Sequence, residues 1–232
     1  MKRILSGIFL TLVGSGCQTS ADPILPTHML RLECSNGDGT VAMSRAAVLD
    51  IGDEKHDFAF TTGHAIPSER PCVVKDFAGA QSPVTLIRLA DEYKSGEPTD
   101  WAVIRFDKIQ TKGLVRYTLD PVENLDTLKE KEFIFARARG ISANSQKCSL
   151  TILDFSEDYR RLVHDCRAIP GQSGSPITRL VDGEPMLVGL HIGHLWMLES
   201  PVTGRPDRKG YINLLDQKTV DEVESVINSY RN

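Results

Sequence analysis

Four absences narrow the reading before any motif is considered. No run of Lys and Arg occurs in a chain whose formal net charge is -4, so the electrostatic footprint of a nucleic-acid-binding protein is missing. The apolar stretch near the start, Ile4 to Val13, is 10 residues long, half of the roughly 20 that a helix needs to cross a bilayer. No C-x-x-C pair occurs among the 5 cysteines, which removes the ligand spacing of a structural zinc site. No internal repeat or low-complexity tract is present, and the 18 Gly and 12 Pro are scattered, which argues against solenoids and disordered linkers. What remains is an ordinary globular composition, 41% hydrophobic and 25% charged over 232 residues, with length enough to bury a sizeable core.

The start of the chain reads as an address. "MKRILSGIFLTLVGSGC" carries Lys2 and Arg3, a short apolar run, and small residues up to Cys17, the pattern of an export signal over residues 1–21. Gly14-Ser15-Gly16-Cys17 resembles the lipobox of bacterial lipoproteins, in which the cysteine takes a lipid, although Gly14 stands where Leu is usual. Cleavage after Thr19-Ser20-Ala21 is the competing reading. Both place the protein outside the cytoplasm, in the periplasm or cell envelope, as an outer-membrane lipoprotein through Cys17, or else secreted. Membrane contact is expected only through that lipid.

The other cysteines fit an oxidising compartment. Cys34, Cys72, Cys148 and Cys166 are even in number and allow three pairings. Cys34–Cys72 and Cys148–Cys166 are expected, because each pair then lies within one half of the chain.

From Met29 onward short apolar runs alternate with turn residues such as Asn36-Gly37 and Asp38-Gly39. "DFAFTTGHAI", "SPVTLIRLA", "DWAVIRF", "EFIFARARG", "SLTILDFS", "YRRLVHDC", "MLVGLHIG" and "KGYINLL" read as strands, many with period-two alternation. Between Asp216 and Arg231 the apolar positions Val220, Val223, Val226, Ile227 and Tyr230 mark one face of a helix. The expected organisation is a β-rich half over 29–119, a boundary in the polar stretch 120–131, and a second β-rich half with a terminal helix over 120–232.

Three stretches carry chemistry. A serine hydroxyl is a weak nucleophile unless a histidine can take its proton. The histidine needs a carboxylate to fix its tautomer, and the developing oxyanion needs unobstructed backbone N–H donors. "PGQSGSPI" presents Ser173 between glycines, with the N–H groups of Gly171 and Ser173 as the oxyanion donors. "FTTGHAI" supplies His64 at the end of a strand-like run. "PTDWAVIRF" supplies Asp100, expected half-buried before an apolar strand. In sequence these run His, Asp, Ser, spaced 36 and then 73 residues. An α/β-hydrolase would place Asp and His after the serine and needs glycine at position 175; here that residue is Ser175.

These stretches, in this order, resemble the catalytic motifs of chymotrypsin-like (trypsin-like) serine proteases, and the likeness runs from about residue 30 to the end. "GQSGSPI" and the terminal helix are most similar to the glutamyl-endopeptidase branch. The resemblance implies an all-β fold of two packed six-stranded antiparallel barrels with a C-terminal helix. His64 and Asp100 would come from the first barrel and Ser173 from the second. It implies a serine endopeptidase acting through an acyl-enzyme on protein or peptide substrates, with no metal or cofactor, as a monomer. Gln172 stands where trypsin has the Asp that pairs with a freshly cut N-terminus, and no Ile-Val-Gly-Gly start occurs, so no trypsin-style activation is expected.

"LVGLHIGH" resembles the strand bordering the substrate pocket of glutamyl endopeptidases. His191 matches the residue that receives an acidic substrate side chain. Ala168 replaces a hydroxyl residue of the pocket wall, and His194 replaces a glycine along which substrate backbone lies. His28, His56 and His164 have no motif around them and are expected at the surface. The rival from another class is a protease-fold binding module at the cell surface that no longer cuts; an esterase on the same machinery is a third idea.

Overall fold

The structure is a computed structural model. It describes residues 29–66, 70–90, 94–95, 99–110, 114–123, 133–139, 142–148, 150–156, 159–166, 168–199 and 206–231. The expected leader, Cys17 and His28 lie outside them.

Six strands, β1 (Leu30–Ser35), β2 (Val41–Val48), β3 (His56–Thr61), β4 (Cys72–Lys75), β5 (Gln81–Leu89) and β6 (Ala102–Asp107), close into an antiparallel barrel in the order β1-β2-β3-β6-β5-β4. Alternation explains the closure. Leu30, Leu32 and Cys34 point inward from β1 while Arg31 and Glu33 do not. Leu30 and Leu32 join Val48, Ala59, Val74, Ile104 and Phe106 in one apolar core. Positive-φ glycines form the turns at Gly37, Gly39 and Gly79, a conformation that costs glycine little.

The second unit is an eight-stranded sheet. Its members are β7 (Thr118–Leu119), β8 (Phe133–Arg139), β9 (Ser142–Cys148), β10 (Leu150–Ser156), β11 (Tyr159–His164), β12 (Pro176–Val181), β13 (Glu184–Glu199) and β14 (Pro206–Leu214). Their path runs β10-β11-β14-β13-β12-β8-β9, with β7 alongside β13. The first barrel is therefore closed as expected, and the second sheet, among the described residues, is an open one of more than six strands. The helix α1 (Gln217–Arg231) buries Val220, Val223 and Ile227. These pack with Leu49, Phe58, Phe60, Trp101 and Tyr117 and with Leu187, Leu190 and Leu215, so one cluster joins the barrel, the sheet and the helix.

Both expected disulfides are present. Cys34–Cys72 closes a separation of 38 residues and Cys148–Cys166 one of 18. Each contributes about 3–4 kcal/mol in the loop-entropy model. Two disulfides mark an extracytoplasmic protein. Among the described residues no helix is long and apolar enough to cross a membrane.

Candidate active site

Register brings the first pair together. Thr61 on β3 lies opposite Ala102 on β6. In an antiparallel pair, moving forward from Thr61 and backward from Ala102 reaches neighbouring positions, and these are occupied by His64 and Asp100. The chain after Thr62 enters a single 3-10 turn, Gly63–Ala65, which turns His64 toward the acid. The two oxygens of Asp100 are both used: the His64 backbone N–H donates to Oδ1 at 2.9 Å, and Nδ1 lies 2.7 Å from Oδ2. Since an ionised carboxylate only accepts, Nδ1 is the donor of this pair, and Nε2 is the ring nitrogen turned away from Asp100. Asp100 is fully buried rather than half-buried, while the His64 side chain keeps 30% of its exposure.

The serine loop is pinned between the two units. The Arg45 N–H of β2 donates to the Ser173 carbonyl at 2.8 Å, and the Gly174 N–H donates to the His191 carbonyl at 2.8 Å. Ser175 N–H closes the turn onto the Gln172 carbonyl at 3.0 Å. Gly171 and Gly174 both have positive φ, 84° and 81°. At Gly174 a Cβ would also lie 2.0 Å from the Arg45 carbonyl oxygen and 2.6 Å from Thr61 Oγ1. Only glycine fits there, and the contact sets the Ser173 loop beside the strand that leads into His64. The Ser173 hydroxyl donates to the Ile192 carbonyl at 2.9 Å.

Gln172 does more than lack the charge of an acid. Its fully buried side chain also holds the entry to the loop, with Oε1 accepting from the Ile169 N–H at 2.9 Å. A polar residue flanked by loop glycines was the available signal.

The second sheet holds a cluster of imidazoles. Expected at the surface, His164 is instead fully buried, and its Nε2 lies 2.9 Å from Nδ1 of His191, itself 1% exposed. The sheet explains this. His164 on β11 and His194 on β13 both lie opposite Gly210 of β14. With no side chain at 210, the His164 ring lies over that position, where a Cβ would stand 2.2 Å from Nε2. A register shift between His191 and Gly193 lets residues three apart share one face. The rings of His191 and His194 accordingly sit 5.3 Å apart, and Phe135 packs on both His164 and His191. Burial first, then the neighbouring His164, His194 and His64, hold the His191 pKa well below its ordinary value, so it is neutral. Among the described residues, Nε2 of His194 is buried without a hydrogen-bond partner.

Ala168 packs in the apolar core of the second sheet with Phe133, Phe135 and Ile177. His56 is half-buried, with Nδ1 3.1 Å from Asp53 Oδ2. Cys148, His164 and Cys166 gather ligand-type atoms within 4.8 Å of one another, but the two sulfurs are bonded to each other, so this set offers a metal one imidazole and no thiolate.

No family model matches the chain, and none of the curated proteins matches it. Solved structures do. One is an HtrA-type protease, AlgW, solved with a tripeptide. It matches with a TM-score of 0.55 at 16% identity over 88% of this chain and 60% of that one. The chain thus spans less than two thirds of the length of that structure. At this identity the likeness shows the fold alone, that of a chymotrypsin-like double β-barrel, here with its second sheet open among the described residues.

Proposed function

We propose that the protein is an exported serine endopeptidase with His64, Asp100 and Ser173 as its catalytic residues. The observation that carries the reading is the fully buried Asp100 bonded through both oxygens to His64, which leaves Nε2 as the base. A buried acid used only for structure would not need to select a tautomer on a partly exposed imidazole.

In the proposed reaction the Ser173 hydroxyl turns from the Ile192 carbonyl to His64 Nε2 and attacks a peptide carbonyl. His64 takes the proton, and Asp100 stabilises the imidazolium without itself becoming protonated. The N–H groups of Gly171 and Ser173 receive the oxyanion. His64 then protonates the leaving amine, and water repeats the sequence to release the acyl group. Every step is a proton transfer or an acyl transfer between named groups.

His191 is the residue proposed to read the substrate side chain before the cut. Being neutral, it would act as a hydrogen-bond donor and not as a cation. If His164 donates from Nε2, His191 accepts at Nδ1 and presents N–H at its own Nε2. A site built this way favours an acceptor, which is the basis for a preference for Glu or Asp. The boundary near 120–131, a monomeric state and export as a lipoprotein through Cys17 belong to the same proposal.

A second reading, a binding module that does not cut, draws on one observation: the Ser173 hydroxyl is engaged by Ile192. Cleavage of a degenerate peptide library decides between them. The proposal expects cuts after Glu or Asp that vanish in Ser173→Ala. Intact peptides with folded protein would favour the binding module, and cuts indifferent to charge would remove His191 from the assignment.

A further inference from the structure

A buried cation whose backbone touches the Ser173 loop is Arg45, which the proposed reaction does not use. Arg45 lies on β2 and is 7% exposed. Its Nη1 donates to the neighbouring Ser44 carbonyl at 2.8 Å, and its Nε is buried with no hydrogen-bond partner. Its cross-strand neighbour on the same face is another cation, Arg31. The acid of that face, Glu33, is already shared between Arg31 and Lys75, each at 2.7 Å. Three cations therefore face one carboxylate, and among the described residues Arg45 has none of its own. Burial, reinforced by Arg31 and opposed by Glu33, lowers its pKa to about 10. Enclosing a cation without a counter-ion is unfavourable, and an anion arriving from outside would relieve that cost.

Its place in the fold says which anion. The Arg45 backbone joins the two halves of the candidate site: N–H to the Ser173 carbonyl at 2.8 Å, and its own carbonyl accepting from Thr61 Oγ1 at 2.6 Å. β13, through His191 and Ile192, flanks Ser173 on one side. β2 flanks it on the other. Met43, on the same face as Arg45 and 55% exposed, has its carbonyl oxygen 3.4 Å from where a Cβ on Gly171 would stand. With the acyl side of a peptide laid along β13, the β2 side, at Gly171 and Met43, is left for its amine side.

On the reading of the protein as a peptidase, we infer that Arg45 recognises a carboxylate carried by the peptide within the first two residues beyond the bond to be cut. A guanidinium fork matches a carboxylate with two parallel hydrogen bonds. The carboxylate comes either from an acidic side chain or from the end of the peptide.

The test uses the full chain and quenched peptide libraries that differ only beyond the cut. One is neutral with an amidated end. Another carries Glu at the first two positions and an amidated end. The last is neutral and ends in a free carboxylate two residues after the cut. At least one anionic set should exceed the neutral set in kcat/KM by about ten- to a hundredfold, mainly through KM. That advantage should collapse in Arg45→Met and persist in part in Arg45→Lys. A winning Glu set names the side chain; a winning free acid names the chain end. Equal rates for all sets in the unaltered protein overturn the inference without any variant, as does an advantage that survives Arg45→Met. Fluorescence anisotropy of the same peptides on Ser173→Ala separates this claim from the enzymatic one. Anion-dependent binding without cleavage in the active chain keeps the carboxylate site and removes the peptidase. Cleavage without anion dependence does the reverse.

Discussion

His64 and His191 are imidazoles of the same molecule, one on each of its two β units, and they differ in exposure and in the group each faces. His64 faces a buried carboxylate. His191 faces other imidazoles and the ring of Phe135. Inside a protein the second group decides what the first can do. Beside Asp100 an imidazole is held by both carboxylate oxygens, one on its ring and one on its backbone N–H. Among histidines that hold is absent, and burial drives the ring to neutrality. On the proposed reading the first unit builds a base, the second a donor and acceptor of hydrogen bonds that carries no charge.

The largest expected effect comes from removing that difference at its source. Asp100→Asn keeps the shape but permits the other tautomer of His64, and turnover of a cleaved peptide should fall about 10⁴-fold. Circular dichroism would show whether the fold is retained. An unchanged rate would mean that His64 does not depend on its partner.

Next is the junction that sets the two units side by side. In Gly174→Ala the new Cβ would meet the Arg45 carbonyl in a backbone region that alanine resists. We expect a loss of about 3 kcal/mol or more in urea denaturation. Gly210→Ala should spare that junction and instead displace His164, losing selectivity at the cut site before rate.

Acidification sharpens the contrast between the two imidazoles. His191 has a depressed pKa, so below its ordinary value near 6.5 the unfolded chain binds a proton that the native one refuses. Stability is then complete above about pH 6.5 and falls by about 1.4 kcal/mol per pH unit below it, until the native pKa is reached. Denaturation at several pH values measures this slope. Replacing both rings, His164→Leu with His191→Leu, should flatten it; an equal slope in the double variant would place the proton-linked group elsewhere.

The mildest test concerns how a neutral amide holds the serine loop. Gln172→Ala leaves the Ile169 N–H without its side-chain acceptor and should cost about 1 kcal/mol by the same denaturation.

How much of this was legible in the sequence follows from the range of each interaction. Strands with dense apolar runs, such as "DWAVIRF" and "DFAFTT", appear at β6 and β3, buried on both faces, and the spacing of Val220, Val223 and Ile227 gives the buried face of α1. β9, "SANSQKC", was not legible: it has no apolar rhythm and owes its place to pairing with β8. The short β4 was hidden for the same kind of reason, held by its neighbours β1 and β5. At the site, His64, Asp100 and Ser173 stood out because each sits in a distinctive local context. His164 did not, since its role depends on Gly210 and His191 on two other strands. The burial of Arg45 is equally non-local, set by a face shared with Arg31 and by the serine loop.

The central claim is that a histidine primed by a buried acid activates Ser173. A fluorophosphonate probe tests this directly, because it forms a covalent bond with an activated serine and requires no knowledge of the substrate. The account predicts one adduct per chain, located on Ser173 by peptide mass spectrometry, and its loss in Ser173→Ala and in His64→Ala. Folded protein that stays unlabelled, or labelling that continues without His64, would contradict it.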